Sequence, residues 1–286
     1  MLSDLIPTLV LRFFEFQELK GKRIAKAPDG EKAMLSRGGF LLAQADPDAQ
    51  DKKENAAEEA PAADVAATAE EAPAVTGMAR LEGPRPRPRS IRMTEKKGKP
   101  SDCRKLYKES LFDENLVVGK KGELANVFIY VSDGLKEKSY DPPKKSALMD
   151  QDRCMFKPRV QGIQVGQDFL MKNSDPLIHN VRSFSMRNRP FNIAQPPKTP
   201  DRKKVFKRKE KEIMIQCDFH PWMKAYLFVM DHPYFAVTNA KGEYSIKGLP
   251  PGKYTLTAWH EELGEQEAEI TVDASGAAKA GFTFKA

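Results

Sequence analysis

Four side chains in the second half of the chain could together bind a metal ion: His179, Cys217, His220 and Met223. Two imidazoles, one thiolate and a weakly bound thioether form the trigonal site of type 1 copper, since soft sulfur favours Cu(I) and imidazole also suits copper. The residue types therefore predict a site for one copper ion, type 1-like. A Cys-x-x-His pair also occurs without a metal, and a methionine beside Trp222 at a strand start is often a core residue, so these interpretations stay open.

The flanking sequence favours a shared location for these residues. Asn173–Pro176 is rich in turn-forming residues, and His179 follows in the loop before the next apolar run. Cys217 ends the run Ile213–Gln216, and Met223 begins the strand that comes after it. We therefore expect two loops at one end of a β-sandwich to converge on one ion.

The chain from Gly77 to its end predicts β-structure throughout. From Gly77 onward, short alternating runs are separated by Gly, Pro, Asn and Asp, and helical periodicity is nearly absent. This pattern predicts an all-β sandwich or barrel, followed by a smaller β domain. The runs expected as strands are Ala125–Val131, Gly162–Val165, Asp168–Met171, Ile213–Gln216, Ala225–Val229, Tyr234–Thr238, Glu243–Ile246, Tyr254–Trp259, Gln266–Val272 and Ala280–Phe284.

Two parts of the sequence resemble known families. Val165–Asp175, His179-Asn180-Val181 and Cys217–Met223 together resemble the cupredoxins, the group of plastocyanin and pseudoazurin. From about Gly77 to its end, the chain is similar to bacterial cupredoxin-like proteins that carry a C-terminal carboxypeptidase regulatory-like domain. Phe235–Thr238, Gly252–Leu256 and Ala258–Glu261 carry the resemblance to that domain.

The resemblance implies a Greek-key cupredoxin sandwich, then a small transthyretin-like or carboxypeptidase-regulatory-like β-sandwich. It also implies export and one copper ion bound by His179, Cys217 and His220, with Met223 as a further candidate. Plastocyanin-like chains typically place four residues between the second histidine and the methionine. Here only Pro221 and Trp222 intervene, so the axial role of Met223 stays open.

The composition divides the chain into four predicted parts. Residues 1–45 end in Ala43-Gln44-Ala45, which resembles a signal-peptidase site, and form a possible atypical export signal. Residues 46–76 are rich in Ala, Glu and Pro and predict a disordered linker. Residues 77–230 are the expected cupredoxin-like domain, and residues 231–286 the regulatory-like β domain. No run approaches the roughly 18 apolar residues that a membrane span needs, so we predict that the protein does not span the membrane. The possible export signal and the family resemblance predict an extracytoplasmic location, in the periplasm or the cell envelope.

Two of the three cysteines, Cys103 and Cys154, lie outside the candidate metal site. In an exported β protein, two such cysteines predict a disulfide bond. The alternative, that both are free and buried, stays open.

The charge distribution is uneven. The formal net charge is +7, yet nine acidic residues face only two lysines between residues 46 and 77. An acidic segment on a basic body weakens a nucleic-acid interpretation, and we predict no nucleic-acid partner. The segment Lys198–Lys211 has eight cations against Asp201 and Glu210. We expect it to run toward the copper end and steer an acidic redox partner, unless it is only a solvated loop or the acidic linker neutralises it.

The remaining motifs argue against catalysis. The sequence has no P-loop, no dinucleotide glycine fingerprint, no G-x-S-x-G and no H-E-x-x-H. His232 and His260 are expected to be packing or hydrogen-bonding residues. We therefore predict a non-enzymatic one-electron carrier with a redox protein partner. The alternatives are a non-catalytic envelope binding or structural module, and a copper-binding protein without a redox role.

Overall fold

The computed structural model describes residues 73–94 and 101–286, with the backbone pairing of two short strands near the start of the chain. The predicted export signal and linker lie almost wholly outside these residues. The elements are β1 (Gln17–Leu19), β2 (Lys22–Ile24), β3 (Ala74–Glu82), a 3₁₀ turn (Asp102–Leu106), β4 (Phe128–Asp133), β5 (Ala147–Asp152), β6 (Met155–Lys157), β7 (Val160–Gln164), β8 (Asp168–Asn173), β9 (His179–Ser183), β10 (Phe191–Gln195), β11 (Arg202–Val205), β12 (Glu210–Gln216), β13 (Lys224–Met230), β14 (Phe235–Val237), β15 (Glu243–Lys247), β16 (Gly252–His260), β17 (Gly264–Val272) and β18 (Ala278–Lys285).

The predicted all-β, sandwich-like fold class is confirmed. The described residues form strands in several sheets and contain no α-helix. Within residues 73–94 and 101–286, no helix has the length and apolar character needed to cross a membrane.

The first sandwich holds the candidate metal ligands. Its two sheets have the strand orders β10-β9-β12-β13-β7 and β11-β8-β5-β6. In β8, Phe169 and Met171 alternate with less buried neighbours and are themselves fully buried. They share one hydrophobic cluster with Ile213 and Ile215 of the facing sheet. Each such side chain stabilises the fold by about 1.5–3 kcal/mol relative to an exposed one, so this core fixes the strand ends that carry the site.

The second sandwich contains more than the C-terminal strands. Its sheets have the orders β14-β4-β16-β17 and β15-β3-β18. β3 and β4 therefore belong to the second sandwich, although they precede the expected domain limit between residues 230 and 231. β3 was not expected as a strand because its first three residues were assigned to the predicted linker 46–76, and because Gly77 interrupts its buried positions Val75, Ala79 and Leu81. That glycine is needed, since a Cβ there would lie 1.6 Å from the carbonyl oxygen of Ala280. The domain ranges themselves stay a prediction, but the sheets do not divide at residue 231.

An aromatic cluster joins the two sandwiches. The ring of Phe128 in β4 stacks on Phe228 in β13 with centroids 4.0 Å apart, and Trp259 in β16 lies 5.0 Å from Phe228. A Cβ at Gly162 in β7 would lie 2.5 Å from the ring of Phe235 and 2.6 Å from that of Phe128. The absence of a side chain at Gly162 therefore allows the strands to approach closely.

The strand inside the basic segment Lys198–Lys211, β11, runs away from the candidate site, and only Glu210 and Lys211 begin β12, which runs toward it. This corrects the expectation that the segment as a whole runs toward the site. β11 pairs antiparallel with β8, so that Arg202 lies opposite Met171 and Val205 opposite Asp168. Since β8 leads into the site at its C-terminal end, β11 runs away from the site. The turn before Glu210 therefore lies one β12 length from Cys217, about 20 Å at roughly 3.3 Å per residue.

The predicted disulfide bond is confirmed. Cys103 and Cys154 are bonded, with their Cα atoms 5.9 Å apart, and both are fully buried. The bond ties the 3₁₀ turn Asp102–Leu106 to the hairpin turn between β5 and β6.

Candidate metal centre

Three of the four predicted ligands converge. The Nδ1 atoms of His179 and His220 are 2.9 Å apart, and Cys217 Sγ lies 3.7 Å from His220 Nδ1. One donor atom from each of the three residues falls within 4.8 Å of the other two. All three side chains are buried, so the donors face one another away from bulk water.

A short loop after β12 holds the Cys217 side of the site. The Cys217 N–H donates to the carbonyl oxygen of Met223 at 3.1 Å, and the Met223 N–H donates to that of His220 at 2.9 Å. These bonds close the loop in which only Pro221 and Trp222 separate His220 from Met223. Met223 is fully buried in the same hydrophobic cluster as Cys217. Its role as an axial ligand stays a prediction.

Asn180 connects this loop to β9. Its Oδ1 accepts the Asp218 N–H at 2.7 Å and lies 3.3 Å from Cys217 Sγ. Its Nδ2 donates to Asn192 Oδ1 at 2.6 Å and to an Asp218 carboxylate oxygen at 3.1 Å. The amide therefore fixes the thiol relative to the strand that carries His179.

A buried carboxylate orients His179. Asp175 Oδ2 lies 2.8 Å from His179 Nε2, which places the ring proton on Nε2 if the ring is neutral and leaves the Nδ1 lone pair directed into the site. Burial would raise the pKa of Asp175, but hydrogen bonds from His179 and from the N–H groups of Cys154 and Arg153 lower it. The pKa of His179 is lowered by burial but raised more by Asp175 and Cys217.

The surroundings of Cys217 lower the pKa of its thiol. Burial raises its pKa, but hydrogen bonds with His179, His220 and the Asn180 backbone outweigh that effect and lower the pKa to about 6. The thiolate is the form that binds a metal. The lowered pKa therefore favours the ligand form of the side chain.

Of the triad His179, Cys217 and His220, only His220 has surface exposed to solvent. His179 and Cys217 have no exposed surface, whereas His220 is 6% exposed. A cavity of about 530 Å³ lies against His220, lined also by Ser101, Asp102, Leu177, Ile178, Asp218 and Phe219. Phe219 and Ile178 are large apolar side chains exposed at 48% and 45%. Any partner that approaches the triad here meets the edge of His220.

Other groups near the site have no ligand role in this geometry. Cys154, Asp175 and His179 also cluster, but the sulfur of Cys154 is bonded to Cys103 and has no thiolate to offer a metal. His232 and His260 lie in or beside the second sandwich, and their Nδ1 atoms accept the N–H groups of Tyr234 and Glu262. Burial lowers the pKa of each to about 4, so both are neutral hydrogen-bonding residues at neutral pH.

The sequence interpretation assigned no role to Asp175 or Asn180. The available signal was their spacing from His179, four residues before it and one after it. Spacing alone could not show that one side chain bonds the far ring nitrogen and the other the thiol.

Comparison with known proteins adds a family for the C-terminal part. Residues 227–285 match the carboxypeptidase regulatory-like domain. This regulatory-like domain is the one that the sequence resemblance predicted. A comparison with curated proteins found no match.

Several solved structures are similar to this chain. A purple cupredoxin from Nitrosopumilus maritimus is 21% identical over 30% of this chain and 100% of its own, with a TM-score of 0.26. A point mutant of amicyanin in its oxidised state is 17% identical over 30% of this chain and 82% of its own, with a TM-score of 0.27. A copper-containing nitrite reductase from Thermus scotoductus SA-01 is 19% identical over 35% of this chain, with a TM-score of 0.29. The match spans only a quarter of that reductase chain.

Proposed function

We propose that this chain binds one copper ion through His179, Cys217 and His220 and carries single electrons. The observation that carries the proposal is the burial of two imidazole nitrogens and one thiol sulfur within 4.8 Å of one another. A single ion at about 2.0 Å from nitrogen and about 2.3 Å from sulfur can contact atoms at these separations. Met223, in the same loop, would be a further candidate ligand.

The donor chemistry fits copper. Thiolate and imidazole together suit both oxidation states, and a bound copper ion would supply a Cu(I)/Cu(II) couple. The chain supplies a thiol with a lowered pKa, a histidine held by Asp175, and a pocket without exposed sulfur. Ligands fixed in this way need little rearrangement when the charge of the site changes by one.

We infer a carrier rather than an enzyme from the exposure of the ligands. Electron transfer needs only the edge of one ligand near the surface, and His220 is 6% exposed whereas His179 and Cys217 have no exposed surface. Electrons can pass through the His220 edge to a redox protein that docks near Phe219. The disulfide bond supports an extracytoplasmic location, because such bonds persist in oxidising compartments.

Potentiometric titration of the copper-loaded full chain tests the function. We expect one copper per chain and a reversible one-electron couple in the wild type. Cys217→Ser should abolish the couple, while His232→Gln, which changes a histidine outside the triad, should retain it. A wild type that binds no copper would overturn the proposal. Bound copper that cannot be reduced and reoxidised would overturn the carrier role in favour of a copper-binding protein without redox function.

A further inference from the structure

The hairpin turn between β5 and β6 contacts the metal centre although it contributes no proposed ligand. Its central residues, Arg153 and Cys154, both have φ of 54°, a left-handed conformation that non-glycine residues rarely adopt twice in succession. Cys154 is tied to Cys103 by the disulfide bond. Such a conformation persists only where the surroundings hold it.

The N–H groups of this turn hold Asp175. Arg153 N–H donates to Asp175 Oδ1 and Cys154 N–H to Oδ2, each at 2.6 Å. The Asp175 N–H donates to Asn173 Oδ1 at 3.0 Å. The carboxylate is 5% exposed and is directed at His179 Nε2. The turn, the carboxylate and the ring therefore form one connected chain of hydrogen bonds.

The carbonyl group of Cys154 contacts the loop on the His220 side of the site. Trp222 Nε1 donates to the carbonyl oxygen of Cys154 at 3.1 Å. The Trp222 ring lies 5.0 Å from the ring of His220 and belongs to the loop that begins at Cys217. The N–H of Cys154 thus binds Asp175, which contacts His179, and its carbonyl oxygen binds Trp222, which contacts His220.

We propose that the crosslinked turn Asp152–Met155 positions the metal centre, acting on His179 through Asp175 and on the Cys217–Met223 loop through Trp222. The inference rests on the proposed copper site. Without the crosslink, the left-handed turn is free to relax, its N–H groups leave Asp175, and the His179 ring loses the partner that fixes its tautomer. Groups that orient metal-binding histidines in this way typically change metal affinity by about 10–100-fold when altered.

The test uses three variants of the full chain: Cys103→Ser/Cys154→Ser, Asp175→Asn and Trp222→Phe. The last two keep the crosslink, so they remain informative if the first does not fold. We expect each to weaken Cu(I) binding, measured by competition with a chelator, by about 10-fold or more and to shift the visible absorption of the Cu(II) form. The control is Ile246→Ala in the core of the second sandwich, which should lower the unfolding midpoint but leave affinity and absorption unchanged.

Nitrogen-15 NMR of the metal-free protein separates this proposal from the proposed function. We expect the Nε2–H tautomer at His179 in the wild type, and its loss or mixing in the crosslink and Asp175→Asn variants. If the wild type binds no copper, the proposed function fails while the NMR result still decides whether the turn positions His179. Unchanged tautomer, copper affinity within twofold of wild type and an unshifted spectrum in all three variants would overturn the inference.

Discussion

Glu210 is the buried acid whose charge has the clearest consequence for stability. Its carboxylate accepts hydrogen bonds from Ser185 Oγ at 2.6 Å and Asn188 Nδ2 at 2.9 Å. Burial raises its pKa, but these bonds and the N–H of Met186 outweigh burial and lower the pKa to about 2. The folded-state pKa is therefore below the unfolded-state value of about 4.3.

The sign of the pH dependence follows from that difference. A depressed carboxyl pKa stabilises the folded state above the unfolded-state value, and the contribution is lost as pH falls from about 4.5 toward about 2. We expect Glu210→Gln to lower the free energy of unfolding by about 3 kcal/mol at pH 7 and by much less at pH 2.5. Urea unfolding at both values measures this, with exposed Glu269→Gln as the control. An equal loss at both pH values would contradict the assignment.

At the scale of single residues, the sequence could predict which three side chains converge, but not the residues that support them. His179, Cys217 and His220 are unusual residue types at a recognisable spacing. Asp175 and Asn180 are common residues whose roles depend on which atom each side chain meets after folding. The tertiary structure supplies that information, through β8 and β9 on one side and the loop after β12 on the other.

Gly162 lets β7 pack against the second sandwich, and the strand should not tolerate a larger residue there. An added Cβ would meet the rings of Phe235 and Phe128 at 2.5 and 2.6 Å. We expect Gly162→Ala to cost about 1–3 kcal/mol of stability through overpacking. The matched control is Gly281→Ala in β18, where the nearest atom to the added Cβ is Met78 O at an ordinary 3.6 Å. Equal unfolding free energies for the two variants would count against the tight contact.

The direction of β11 changes the expected effect of the basic segment. Lys207 and Arg208 lie about 20 Å from Cys217 along β12, beyond the Debye length of about 8 Å at physiological ionic strength. We expect Lys207→Glu/Arg208→Glu to leave electron transfer with an acidic redox protein within about twofold of wild type. Lys224→Glu, whose Cα partner is Gln216 beside Cys217, should slow it. Stopped-flow kinetics measures the electron-transfer rate of both variants. A larger decrease in Lys207→Glu/Arg208→Glu than in Lys224→Glu would show that the basic segment steers the partner.

Most strands after residue 124 could be predicted from alternation, while the missed ones had weaker patterns. β12 and β13 carry regular buried positions such as Ile213, Ile215 and Leu227. In β11 only Lys204 is half-buried, and β3 buries Val75, Ala79 and Leu81 on either side of Gly77. Such strands are specified by their neighbours in the sheet more than by their own hydrophobicity.

At the scale of the whole molecule, a buried ion pair links the two sandwiches. Arg159, just before β7, binds Glu261 in the turn after β16 through Nε at 2.5 Å and Nη2 at 2.8 Å. The side chains are only 3% and 4% exposed. Removing one partner leaves the other charge buried without compensation.

We expect Arg159→Met to lower the unfolding free energy by about 3–5 kcal/mol, and Arg159→Met/Glu261→Met to recover much of that loss. Lys105→Met, which breaks the exposed pair with Asp102, should leave the unfolding free energy nearly unchanged, because water screens that pair. A double-mutant cycle in urea provides the comparison. No recovery in the double variant would show that packing, rather than the unpaired charge, accounts for the loss.

The central claim is that two histidines and one cysteine bind a single copper ion. X-ray absorption spectroscopy of the copper-loaded full chain tests it most directly, with Cys217→Ser as the reference. The account predicts one short copper–sulfur bond and two copper–imidazole bonds in the wild type, and loss of the short sulfur bond in the variant. A wild-type spectrum with only oxygen and nitrogen neighbours, or identical spectra for the two proteins, would contradict it.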